Sequence, residues 1–141
     1  MTKLDIALLL NIIKLLVTIL SIYLITLAFP KKNGSIHAIS LILIGVGACI
    51  FMVVAVTLSP LVITEPYQIA SNVMLGMIIL GIIVILKNKV TLKSIVSILL
   101  IWICGAIGLA IGSGLFLEGI FVALITYILL HFLVNNTQSD F

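Results

Sequence analysis

Read from its N-terminus, the chain alternates long apolar runs with short polar breaks. Three runs stand clear, at residues 4–29, 38–58 and 67–86. Residues 94–133 form a lysine-free stretch too long for one crossing of the ~30 Å hydrocarbon layer, which about 20 helical residues span. A fold-back is expected near Gly112–Ser113–Gly114, because glycine weakens a helix and permits positive φ. It divides the stretch into 94–111 and 114–134. The pattern predicts an all-α, polytopic transmembrane bundle of five spans, a single integral membrane domain over residues 1–141.

Composition agrees with the pattern. Hydrophobic residues make up 64% of the 141, charged residues 8%, and the mean hydropathy is +1.52. No soluble globular domain has that balance. The charges that remain are placed unevenly. Lys31 and Lys32 lie in the first break and Lys87, Lys89 and Lys93 in the third, whereas the second and fourth breaks carry Glu65 and Glu118. Basic loops are retained on the cytoplasmic side. The expected orientation therefore puts the N-terminus outside and the C-terminus in the cytoplasm, with the chain multi-pass in the plasma membrane. The net charge of +3 is then membrane electrostatics, with no basic stripe interleaved with aromatics to suggest nucleic acid. The first run is expected to be retained, since Asp5 and Lys14 interrupt it and no small-x-small cleavage site follows.

Chemistry-bearing residues are few. Ser97, Ser113 and Thr126 have no evident base, and neither a zinc-protease motif nor a phosphate loop occurs, so no catalytic residue, cofactor or metal site is expected. Cys49 and Cys104 fall inside predicted spans without CxxC spacing and read as small packing residues. In the fourth span Gly108 and Gly112 form a GxxxG pair that Cys104 extends by one turn. Small residues let backbones approach closely in lipid, which places this span mid-bundle. Its partner is expected to be another span of the same chain, with a second copy as the alternative.

Two polar strips stand out. In the first span Asn11, Lys14, Thr18 and Ser21 recur at helical spacing. Lys14 either snorkels to the outer interface or turns inward to pair with a carboxylate, Glu65 being the candidate. At the third span Glu65, Gln68, Asn72 and Gly76 lie on one stripe, behind a helix start in which Thr64 can cap and Pro66 fits the first turn. Carboxamides in hydrocarbon must find partners, so this stripe is expected to face protein or water and is the candidate functional surface.

The same segment, EPYQIASNVMLGMIILGIIVILK, resembles the stretch of the MgtC/SapB family written DPxRIAAQVVSGIGFLGAGxIxR, matching at Pro66, Ile69, Ala70, Val73, Gly76, Leu80, Gly81 and Ile85. WICGAIGLAIGSGLF, Trp102 to Phe116, is similar to that family's LWxxAAIGLAxGxGLY, and His37-Ala38 to the end of its RTHA motif. The family's aspartate is Glu65 here, its arginine Gln68 and its glutamine Asn72, and the soluble C-terminal domain of the family's longer members is not expected in this chain. The resemblance implies a membrane protein tied to low-magnesium adaptation. On one view of the family it acts as a regulator through contacts with another membrane complex, the F-type ATP synthase. The alternative is an oligomeric transporter of magnesium or another cation, which would need rings of carboxylates from several copies. Expected partners are the lipid bilayer and either another membrane complex or a second copy.

Overall fold

The computed structural model describes residues 3–28, 34–59, 66–87 and 92–136. They form five helices: α1 (Lys3–Thr26), α2 (Gly34–Leu58), α3 (Pro66–Lys87), α4 (Leu92–Ser113) and α5 (Phe116–Asn136). α1, α2 and α4 contain the apolar stretches Asp5–Thr26, Ala38–Leu58 and Ile95–Ser113, each long enough to cross a membrane, while α3 and α5 carry the shorter runs Tyr67–Ile83 and Phe116–Phe132. The helices are apolar on nearly all sides, as lipid-embedded helices are. Their hydroxyls are satisfied within the backbone: Thr18 Oγ1 donates to the Lys14 carbonyl at 2.8 Å, and Thr57 and Thr126 donate to carbonyls four residues earlier at 2.7 Å each.

Contacts fix the direction of each helix. Gly45 of α2 lies against Cys104 of α4, and Cys49 lies against Gly112, so α2 and α4 run the same way. α1 opposes them, with Lys14 at Gly112 and Ile22 at Gly45. α3 also opposes α4, with Met77 at Gly105 and Gly81 at Ile98, and α5 folds back with Gly119 at Ile111. The chain therefore runs up and down five times. The helix ends joined by the two lysine-bearing connections lie together at one end of the bundle.

α4 is the central element, packed on all four other helices, and its contact with α2 is the most extensive. Ile22, Ile25, Leu41, Leu100, Cys104, Ile107, Ile111 and Ala123 build the main core, and a smaller one gathers Ala48, Met77 and Leu109 between α2, α3 and α4. Glycine makes the central crossing. A Cβ on Gly108 would collide with the Gly45 carbonyl oxygen, and one on Gly112 would sit 2.7 Å from the Cys49 carbonyl oxygen and 2.8 Å from Met52 Cβ. The partner of the Cys104, Gly108, Gly112 strip is thus α2 of the same chain. Cys49 and Cys104 are buried and unbridged, consistent with packing roles.

α4 ends where the spacing of glycines predicts. Gly114 takes φ 103°, the Leu115 amide donates to the Ala110 carbonyl at 2.9 Å, and the Gly114 amide to Ile111 at 3.0 Å. This pair of bonds is a Schellman motif, which a glycine in left-handed conformation closes without a Cβ penalty.

Candidate functional site

Two polar features were expected, and the structure treats them in opposite ways. Lys14 is buried, only 6% exposed, and its Nζ donates to the Gly112 carbonyl at 3.0 Å. It lies eleven residues beyond Lys3, about three turns into α1 and near its middle. Inward orientation was one of the two expected outcomes. The expected pairing with Glu65 is not supported: among the described residues α1 and α3 make no contact, because α2 and α4 stand between them. Glu65 itself, with Thr64, lies outside the described residues.

The partner Lys14 does have is a helix end. The last four carbonyls of a helix have no intrahelical donor. Here the Schellman bonds serve Ala110 and Ile111, Ser113 Oγ adds a bond to Ala110 at 2.7 Å, and the ammonium of another helix serves Gly112. A cation at the negative end of the α4 dipole is favourable, and more so away from water. Gly112 therefore does two things. Its missing side chain admits α2, and its carbonyl receives Lys14. Around the contact lie Thr18, buried, with its hydroxyl donating to the Lys14 carbonyl, and the buried Cys49. The GxxxG pattern announced a close helix approach without naming its partner, which the structure shows to be α2. No pattern in the chain announced that a lysine ninety-eight residues away would cap α4.

The second feature faces outward. Gln68, Asn72 and Gly76 share one face of α3, as their spacing predicts, and all three are exposed on the surface of the chain. The packed side of α3 is the opposite one, where Ala70, Val73, Met77 and Gly81 meet α2 and α4. Neither carboxamide has a hydrogen-bond partner among the described residues. The Ser71 hydroxyl returns to the Gln68 carbonyl at 2.8 Å and leaves the amides untouched. A Cβ on Gly76 would meet nothing within 4 Å, so its small size serves no packing inside the chain. The sequence predicts that this stripe faces protein or water; among the described residues no part of the chain covers it.

Among the described residues no three of His, Cys, Asp and Glu gather as a metal site would require. Glu118 lies exposed in the first turn of α5, and His131 stacks near Tyr127 with ring centroids 6.0 Å apart. His37 falls in the first turn of α2, its side chain outside the described set.

A model of the MgtC family matches residues 37–138. The matched interval covers α2 to α5, including the outward stripe and the glycine crossing, and α1 with Lys14 precedes it. No curated protein and no solved structure matches the chain.

Proposed function

Because the chain belongs to the MgtC family, we propose that it is a plasma-membrane protein of magnesium homeostasis that acts without catalysis, by lateral contact with another membrane complex. The family links the chain to magnesium. The observation that carries the mode of action is the outward stripe of Gln68, Asn72 and Gly76, polar and unpartnered among the described residues, on a helix that packs on its neighbours by its opposite side. An amide left in hydrocarbon costs several kcal/mol, so such a face is suited to protein contact rather than to lipid. On the regulatory view of the family the partner complex would be the F-type ATP synthase, and the proposal extends to that class of target.

Transport fits the interior less well. A cation crossing a single bundle would pass the buried Lys14 ammonium, and at 4 Å two unit charges repel by about 4 kcal/mol even at an effective dielectric of 20. A conducting path would have to form between copies.

Two measurements test the proposal together. Cells lacking the protein are complemented with wild type, Gln68→Leu, Asn72→Leu or the flank control Met74→Leu, and growth is followed at low magnesium. Purified wild type is also placed in liposomes with a magnesium-sensitive dye. Loss of growth in the stripe variants alone, with silent liposomes, is the expected result. Magnesium flux through the wild type would replace regulation by transport.

A further inference from the structure

The outward stripe needs an occupant, and its chemistry narrows the choice. Apolar faces of the bundle contrast with it. The outer groove of α1, for instance, is lined by Leu16, Val17, Ile19, Leu20 and Tyr23, side chains that acyl chains cover as well as protein does. α3 instead presents two carboxamides and a glycine. A carboxamide carries both donor and acceptor, so two identical ones satisfy each other when a two-fold axis brings them together. Gly76, one turn beyond Asn72, would let the two backbones approach, a use for its missing side chain that the chain itself does not make.

We propose that α3 pairs with α3 of a second copy about a two-fold axis in the membrane, with the Asn72 carboxamide hydrogen-bonded to the partner's Asn72. The inference rests on the reading of this stripe as a contact surface and names its occupant. Ile79 continues the strip within about 20° of Asn72 at 100° per residue, so the contact extends over at least three turns. Met74 and Ile78, both exposed, lie well off it and should flank the interface. A regulatory complex that uses the same face would then have to compete with the dimer, making self-association a reservoir of unengaged protein.

Cysteine cross-linking of the full chain in phosphatidylcholine–phosphatidylglycerol vesicles tests the register. Both native thiols are fully buried and give a low background. Gln68→Cys, Asn72→Cys and Ile79→Cys are expected to form disulfide dimers under mild oxidation, and Met74→Cys and Ile78→Cys to remain monomeric. In a parallel measurement, energy transfer between donor- and acceptor-tagged copies is read against protein dilution in lipid. Asn72→Leu should weaken dimerisation about tenfold or more, since a symmetric pair loses two interhelical bonds. Gly76→Leu should weaken it at least as much while leaving the fold intact, because a Cβ at this position meets nothing within 4 Å among the described residues.

Equal cross-linking at strip and flank positions, or energy transfer indifferent to Gly76→Leu, overturns the dimer. Monomeric protein combined with loss of low-magnesium growth in Asn72→Leu likewise overturns it, and leaves contact with another complex standing. A dimer with the expected register in cells whose growth ignores Asn72→Leu supports the pairing and removes the functional reading of the stripe.

Discussion

One pair of substitutions, chemically identical, should move stability in opposite directions. Gly76→Ala and Gly108→Ala both remove a glycine from a helix interior, and each gains about 0.8–1.0 kcal/mol of helix propensity. At Gly76 that is the whole effect, because the new methyl group meets nothing within 4 Å. At Gly108 the methyl group would overlap the Gly45 carbonyl oxygen and lie 2.9 Å from its carbon and 3.1 Å from Ala48 Cβ. Backbone atoms cannot rotate away, so α2 and α4 must separate. Overpacking of this kind costs about 1–3 kcal/mol, and a gap of even half an ångström forfeits a quarter of each dispersion contact it opens. Propensity cancels in the comparison. Gly108→Ala should therefore be less stable than Gly76→Ala by about 1–3 kcal/mol. Denaturation with sodium dodecyl sulfate in mixed micelles, at dilution that keeps the protein monomeric, measures the difference through Trp102 fluorescence and helical circular dichroism. Two variants of equal stability, within about 0.5 kcal/mol, would refute the reasoning that the α2–α4 crossing is held at backbone contact.

The Lys14 contact makes two further predictions. Lys14→Met should leave the Gly112 carbonyl without its donor, a local cost of about 1–3 kcal/mol, and amide exchange at Gly114 and Leu115 should quicken by about tenfold or more; unchanged exchange there would mean the ammonium does not cap α4. Exchanging the charges of Lys14 and Glu65 should rescue nothing that either single change loses, because α1 and α3 are not neighbours. Recovery of stability in the double variant would reinstate the pair.

The stripe on α3 shows how far helical spacing reaches. Gln68, Asn72 and Gly76 had to share a face once Pro66 opened a helix, and they do. The direction of that face is a different matter. It depends on which side of α3 offers the better fit to α2 and α4, and Ala70, Val73, Met77 and Gly81 supply it. A polar stripe alone does not say whether its partner belongs to the same chain.

Lys14 shows the same boundary from the other side. An ammonium within an apolar run must meet an acceptor, and that much was legible in one helix. A carboxylate was the obvious candidate by charge. The acceptor proved to be the free carbonyl of Gly112, a group present in every residue and therefore invisible to any reading by residue type. It became available because α4 stops at Gly114, a local event, and became reachable because α1 crosses α4 at that level.

The sequence by itself determined what is local or set by the solvent: five helices, the glycine that turns α4 into α5, and the strip that lets α4 sit at the centre. Hydrocarbon enforces these, since it leaves backbone groups no partner but one another. Only the tertiary structure decided that α2 receives the glycine strip, that Lys14 caps α4, and that the carboxamides of α3 look outward. Those outcomes turn on which apolar surfaces fit together, and apolar residues that are nearly interchangeable in lipid carry no label naming their neighbours.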